Sequence, residues 1–397
     1  MVTRSCRPAQ RVGTVRGAGR RRAMSSLLSL LAAALLASGC GGGAPAPAAR
    51  GGAPVEPVSA APAPPPASAA PAAAAPALPP RPDRPVARVS IGVTGNSTDV
   101  VLYLAEEKGY FEYLRIEPQY ETFDSGGRMV ASLATNQVQV GGGSPSVGLY
   151  NAVARGVNVK MVADRASGAP GYFFFVRKDL IDSGAIRDYP DLRGRRIAIA
   201  ARGTTAEVAV GRALEKGRVA LADVELVEIP YPEMVVALTT GAIDVGVAPE
   251  PSPTIAVQRG VAVKWHTAYD VTPQQQGSVL LYTGAFVDET PDVARDFMVA
   301  YVLGARLYND GIAKQEPEAA AFVRGTILRR TSLRDPELLD RIEPVRTDPN
   351  GAMSRAGLAA DYEWFREYGG LTETVDLDQL VDERFIQYAV SVLGPYR

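Results

Sequence analysis

The sequence predicts an α/β protein of two lobes, each an open, mostly parallel sheet flanked by helices, joined by two hinge strands. Three observations predict it: an internal repeat, a regular alternation of strand and helix patterns, and one strand left over after each copy of the repeat. Residues 88–160 are echoed by 196–264. Arg88-Val-Ser-Ile91 answers Arg196-Ile-Ala-Ile199, and Gly95–Gly109 answers Gly203–Gly217 at a constant offset of 108. Met129–Gly141 answers Met234–Gly246, and Arg155–Lys160 answers Arg259–Lys264, the offset falling to 105 and 104 as loop deletions would produce. A repeat this long exceeds a solenoid unit and suits half of a two-lobed body. Two similar lobes facing each other make a cleft, where small ligands bind.

The chain ahead of the first copy is not core material. Arg20-Arg21-Arg22 precede the apolar run Leu27–Leu36, which closes on Leu36-Ala-Ser-Gly-Cys40. A charged segment, a short apolar run and small residues before a cysteine are the layout of an export signal. The run is too short to span a bilayer. The residues before Cys40 resemble a bacterial lipobox. That implies removal of 1–39, lipidation of Cys40 and anchoring to the outer face of the cytoplasmic membrane or within the periplasm. An ordinary signal peptide beside a coincidental cysteine is the alternative, and the arginines also suit a twin-arginine export route. Residues 41–87 are dominated by Ala, Pro and Gly. They have too little to bury to offset their ordering entropy, and read as a disordered tether reaching on the order of 140 Å at ~3.1 Å per residue.

With Cys6 in the leader, Cys40 is the only cysteine of the mature chain, so a disulfide framework and a cysteine metal site are excluded. The formal charge of −1 becomes about −8 without the seven leader arginines. An acidic exported protein is a poor partner for nucleic acid.

In the first copy, strands are expected near Val89–Val93, Arg115–Thr122, Val138–Gly141 and Val157–Ala163. A helix near Asp99–Lys108 begins at Ser97 or Thr98, stops at Gly109 and carries Val100, Val101 and Leu104 on one face. In the second copy, Thr204-Thr-Ala-Glu207 fits a capping box and Gly217 ends the helix. Pro145 and Pro232 sit where first-turn prolines are tolerated. Such alternation implies parallel sheets with right-handed crossovers. Tyr172–Arg177 and Gly277–Tyr282 fall outside both copies and are expected to be the hinge strands. Lobe one then comprises 88–175, lobe two 176–280, and 281–397 returns to lobe one as helices. Thr290-Pro291 opens one of these, with Val293, Phe297 and Tyr301 on its buried face.

In open parallel sheets the ligand sits beyond the carboxyl ends of the strands. The repeat therefore nominates loops Gly95–Thr98, Phe123–Gly127 and Gly141–Ser146 from lobe one. Lobe two offers Arg202–Thr205, Pro230–Pro232 and Pro249–Ser252. Glycines admit close backbone approach, hydroxyls hydrogen-bond, and helix N-termini carry partial positive charge, which together suit a small anion or polar group. Each nominee also has a plainer role. Ser125, Ser144 and Thr204 suit helix caps; Gly141–Gly143 suits a tight turn. Arg128 and Arg202 suit solvated surface positions as well as ligand clamps. Glu250 suits a helix-dipole partner or a cleft acceptor, and Tyr172 a ligand flank or inter-lobe packing. His266, the only histidine, lies in the strand Val261–Thr267 and reads as structural. No hydrolase, zincin, P-loop or dinucleotide motif stands in a supporting context, and no Asp/His cluster suggests a metal. Neither catalysis nor a cofactor is expected.

Lys108-Gly-Tyr-Phe111, Phe123-Asp-Ser-Gly-Gly127, Gly141-Gly-Gly-Ser-Pro145, Arg155–Lys160, Asp191-Leu-Arg-Gly-Arg-Arg196, Gly203-Thr-Thr-Ala-Glu207, Thr240-Gly-Ala-Ile-Asp244 and Glu250-Pro251 occur in an order and spacing that resembles a known group. It is that of the bacterial ABC-transporter substrate-binding proteins of the sulfonate/nitrate/taurine (SsuA-like) and NMT1/THI5-like type. The likeness covers nearly everything after residue 88. It implies a two-lobed periplasmic-binding-protein fold that closes on a small solute and delivers it to a membrane permease with its ATPase. Carried over, the ligand contacts fall on Asn96, Ser125, Gly126, Ser144, Thr204, Thr205 and Glu250; Ser97, Gly143 and Tyr172 join them from the nominated loops and the first hinge. Gln139 stands where many relatives have Asp, and Ala248-Pro249 where many have a Trp nearby; these departures leave the solute open among sulfonate, nitrate, taurine and carboxylate. A thiamine-precursor pyrimidine is the nearest alternative, followed by a lyase-type enzyme or a ligand sensor on the same fold. Pyrimidine-precursor synthases related to this group consume a histidine and rely on cysteines and iron, which this chain is poorly equipped to supply.

Overall fold

Among the residues that the computed structural model describes (78–123, 126–168 and 171–396), ten strands make two five-stranded sheets. The leader, Cys40, residues 41–77 of the tether, and Ser125 lie outside the described residues. The strands are β1 Ala87–Val93, β2 Ile116–Thr122, β3 Val140–Gly143, β4 Val159–Ser167 and β5 Tyr172–Arg177. They continue as β6 Arg196–Ile199, β7 Glu225–Glu228, β8 Val245–Pro249, β9 Ala262–Thr267 and β10 Gln276–Thr283. The first sheet runs β2-β1-β3-β10-β4 and the second β7-β6-β8-β5-β9. The sequence repeat is therefore a repeat of topology, with β1–β4 matched by β6–β9.

The two expected hinge strands are full members of the sheets. β5 is antiparallel between β8 and β9, and β10 is antiparallel between β3 and β4. Each completes the sheet of the opposite half, β5 following β4 into the second sheet and β10 following β9 into the first. The physical reason lies in the strands themselves. Phe173–Val176 and Val279–Tyr282 are buried, and continuous apolar runs of this kind suit central strands covered on both faces. Buried strand backbone also demands hydrogen-bond partners, which a bare connector would lack.

Helices alternate with the strands in both copies: α1 Val100–Glu107, α2 Gly126–Ala134 and α3 Val147–Ala154, then α4 Thr205–Lys216, α5 Tyr231–Thr239 and α6 Ser252–Gln258. The return to lobe one supplies α7 Pro291–Ile312, α8 Pro317–Arg330, α9 Arg355–Tyr368 and α10 Arg384–Leu393. Pro291 opens α7, whose Val293, Phe297 and Tyr301 are buried against Ile91, Leu104 and Ile386 in the core of lobe one. Lobe two has its own core around Ile197, Ile199, Val210, Leu214 and Val247. A third cluster joins them: Leu358, Tyr362, Trp364 and Phe365 of α9 pack with Tyr150 of α3 and Val208 of α4. Gly211 of α4 is what lets α9 approach, because a Cβ there would come 2.4 Å from the Trp364 ring.

Residues 79–86, which the sequence reading assigns to the tether, lie against lobe one. Arg84 pairs with Asp296 of α7 at 2.5 Å and donates to the Leu114 carbonyl, while the Tyr113 hydroxyl donates to the Pro79 carbonyl. One half-buried guanidinium thus gives this proline-rich stretch fixed partners that its composition does not reveal. No helix among the described residues is long and apolar enough to cross a membrane.

Candidate functional site

The nominated loops follow the carboxyl ends of β1, β2, β3, β6, β7 and β8, and two of them, after β3 and β6, meet across the lobes. The Thr205 hydroxyl donates to the Ser144 Oγ at 3.5 Å, and the Val147 amide donates to the Gly203 carbonyl at 2.9 Å. These contacts set the N-terminus of α3 in lobe one beside the N-terminus of α4 in lobe two, so the free N–H groups of both first turns gather at one place.

The caps are distributed differently from the sequence expectation. α3 is capped by Ser146, which accepts from the Leu149 amide at 3.3 Å, leaving Ser144 free of that task. Thr204 occupies the cap position of α4 without a side-chain cap bond; its hydroxyl donates to the Ala201 carbonyl at 2.9 Å. The acidic half of the expected capping box forms, displaced by one residue: Glu207 accepts from the Gly203 amide at 2.6 Å. Arg202 is engaged by Glu207 at 3.3 Å and by the Leu226 carbonyl, which ties it down as part of lobe two. Arg128 is exposed on α2.

Gly141–Gly143 belong to β3, not to a turn, and each is small for a packing reason. A Cβ would meet the Met129 sulfur at Gly141, the Arg165 guanidinium at Gly142 and the Gly126 backbone at Gly143. Gly126 and Gly143 therefore bring the nominated loops after β2 and β3 into backbone contact. Beneath them Arg165 forms a fully buried ion pair with Asp99 and also donates to Thr98 Oγ1 at 3.3 Å. Asp99 accepts in turn from the amides of Thr94 and Asn96. Asn96 caps the short turn Ser97–Asp99, accepting from the Thr98 amide at 2.9 Å and the Thr98 hydroxyl at 2.7 Å. Ser97 is the first residue of that turn and half-buried. The Asp99–Arg165 pair, which sequence reasoning missed, is thus the support on which the 95–98 loop stands.

Tyr172 and Glu250 lie together on another part of lobe two. Tyr172 pairs with Pro249 across the β5–β8 ladder, and its hydroxyl is 3.4 Å from that of Tyr231. Burial pushes the Tyr172 hydroxyl well above its ordinary range. Glu250 is buried, and both carboxylate oxygens have partners: Thr254 Oγ1 at 2.8 Å, the Thr254 amide at 3.2 Å and Lys264 Nζ at 2.5 Å. Lys264 also reaches Glu343 at 3.3 Å. The cleft acceptor expected at Glu250 is, in the structure, a carboxylate that braces α6 and neutralises a lysine.

The departure at Gln139 is also structural. Its side-chain oxygen accepts from the Ser90 amide at 3.1 Å, and the matched Asp244 of the second copy accepts from the Arg196 amide at 3.0 Å. Both residues accept from a backbone amide of a central strand, in the middle of β1 at Ser90 and at the start of β6 at Arg196. His266 is held by stacking on Tyr189, with ring centroids 4.8 Å apart, and by Asp270 at 3.5 Å.

Two acids at the crossing went unnominated. Asp164 accepts from Gln276 Nε2 at 2.5 Å, Thr347 Oγ1 at 2.9 Å and the Asp348 amide at 2.6 Å; burial outweighs these bonds and raises it to about 6. Asp361 of α9 accepts from Gln275 Nε2 at 3.2 Å, and burial raises it to about 7. The same Gln275 amide donates to the Thr205 carbonyl at 3.1 Å. Ser144, Thr205, Gln275 and Asp361 thus form a continuous polar chain through lobe one, lobe two, the crossing and the C-terminal region. The Gln274-Gln275-Gln276 run was the only local signal.

The sequence profile described as NMT1/THI5 like matches residues 96–319 of this chain. Among solved structures, the alkanesulfonate-binding protein SsuA from Xanthomonas axonopodis pv. citri, bound to MOPS, is 18% identical, with a TM-score of 0.60 over 76% of this chain and 99% of that one. The periplasmic nitrate-binding protein NrtA from Synechocystis PCC 6803 is 14% identical, with a TM-score of 0.63 over 78% and 89%. The desulfurization enzyme DszB is 15% identical, with a TM-score of 0.55 over 77% and 99%. No curated protein matches the chain by sequence. The profile spans more than half of the chain, and the duplicated strand order is what the sequence likeness implies; the chain belongs to the NMT1/THI5-like family and has the two-lobed α/β fold of the periplasmic binding proteins.

Proposed function

We propose that this chain is the exported solute-binding component of an ABC importer, lipid-anchored through Cys40, that captures a small anionic or polar solute by closing its two lobes. The observation that carries the reading is the meeting of Ser144 and Val147 with Gly203 and Thr205. Non-equivalent loops of the two halves, the one after β3 and the one after β6, bring two helix N-termini together, where first-turn amides and hydroxyls favour an oxyanion. A solute stabilises the closed form only by touching both lobes, since equal affinity for open and closed states shifts nothing. Sulfonates, nitrate, taurine and small carboxylates are the candidate solutes, and SsuA and NrtA support the first two as chemistry this fold serves. The partners are a membrane permease with its ATPase, and the bilayer through the N-terminal lipid.

DszB demonstrates that an enzyme can use a similar fold. For this chain the binding reading is favoured, because residues 78–396 contain no cysteine and His266 is committed to lobe two. The test is calorimetric titration of the mature protein with alkanesulfonates, taurine, nitrate and small carboxylates. Saturable heat with at least one of them is expected; absence of binding to all four classes would overturn the reading.

A further inference from the structure

We propose that Asp361 is a proton-operated latch between the lobes: uptake of a proton by its carboxyl draws α4 of lobe two against α3 and α9, so that closure is linked to acidity. The proposal rests on lobe closure but not on the identity of the solute.

The geometry is specific. Asp361 is 3% exposed, one carboxyl oxygen accepts from Gln275, and the other has no partner among the described residues. Gln275 shares its amide with the Thr205 carbonyl in the first turn of α4, and Thr205 in turn touches Ser144. On the flanks of the carboxyl, α9 meets lobe one through Tyr362 against Tyr150, with ring centroids 5.0 Å apart, and meets lobe two through Trp364 against Gly211. Parting α4 from α9 would expose the Asp361 carboxyl to water; closing them removes it. A buried carboxylate with one oxygen unpaired is costly, whereas a neutral acid in the same place is not.

The titratable groups that face this carboxyl are Arg212 from α4, Tyr150 from α3 and Tyr269 from the turn after β9. Arg212 already pairs with Glu215 on its own helix at 2.8 Å. Burial raises both tyrosines far above their ordinary range, so they stay neutral and donate no compensating charge. Asp361 itself is raised to about 7, mainly by burial. The sign follows: a group with higher proton affinity in the closed form favours closure at low pH. That bias is lost as pH rises through about 7. With an ordinary carboxyl in the open form, the closed-to-open ratio falls most steeply below about pH 7 and levels off above it, a drop of roughly thirtyfold between pH 5.5 and 8.5.

The test uses the full chain with Cys6 and Cys40 replaced by serine and spin labels at Glu117→Cys in lobe one and Val236→Cys in lobe two. Inter-label distances are measured by pulsed electron resonance at pH 5.5 and 8.5. The wild-type background should shift towards the shorter distance at pH 5.5, Asp361→Asn should hold the shorter distance at both, and Asp361→Glu should respond to pH with a displaced midpoint. Added taurine, nitrate and MOPS separate the two ideas. Shortening by any of them without a pH response would overturn the latch and leave closure standing. No shortening under any condition would remove both, and a pH response surviving in Asp361→Asn would overturn the latch alone.

Discussion

Replacing Asp99 by asparagine changes almost nothing in shape and leaves the Arg165 guanidinium without its counter-charge. Both side chains are essentially inaccessible, at 0% and 1% exposure. Removing one partner of a buried pair costs about 3–5 kcal/mol, because the remaining charge is stranded in a medium that solvates it poorly. Here the loss has a second route, since Asp99 also accepts from Thr94 and Asn96 and so holds the 95–98 loop in place. The internal control is Arg88–Glu117, at 78% and 47% exposure, where Glu117→Gln should cost only about 0–1 kcal/mol. Urea unfolding at pH 7 checks both, and the double replacement Asp99→Leu with Arg165→Met should recover the part due to the stranded charge but not the part due to the Thr94 and Asn96 amides. A loss below about 1 kcal/mol for Asp99→Asn, or an equal loss at Glu117, would refute burial as the source of the pair's importance.

Ser146→Ala should cost about 1 kcal/mol of stability through the lost α3 cap, whereas Ser144→Ala should leave stability unchanged and weaken solute binding about fivefold, as read by urea titration and calorimetry. Gly211→Val should push the Trp364 ring off α4, costing about 1–3 kcal/mol and moving tryptophan emission to longer wavelength; unchanged emission would contradict the α9 contact. Asp164 and Asp361 both have folded-state proton affinities above the ordinary carboxyl range. Their contribution is therefore fully present below about pH 4 and is lost as pH rises through about 6 and about 7, so that Asp361→Asn should gain stability over wild type at pH 8 but not at pH 4 in urea titrations. Glu250→Gln should lower thermal stability by stripping Lys264 of its closest partner while leaving solute affinity intact; a lost affinity would return Glu250 to the cleft.

The sequence was most informative where local pattern and long-range fold agree. The offsets between Gly95–Gly109 and Gly203–Gly217 foretold two sheets of one strand order, because a duplicated pattern of periodicities folds into a duplicated topology. Helix α7 and its buried Val293, Phe297 and Tyr301 were legible for the same reason, as apolar spacing along one helix face is a local property. The loops after the strands were legible in position and less so in the bonds they make. Which serine caps α3 depends on backbone angles at the turn, and Ser144 and Ser146 are chemically alike.

Local pattern, then, determined the duplicated lobes, the order of strands and helices, and the loops at the sheet edges. Only the tertiary structure decided that the two leftover strands cross over to complete opposite sheets. It alone set Arg165 beneath Gly142, and it alone joined Ser144, Thr205, Gln275 and Asp361. Those residues are separated by 61, 70 and 86 positions along the chain. A side chain buried beside a distant partner takes its charge and proton affinity from that partner and from the loss of water around it, and neither is written in the residues next to it in sequence.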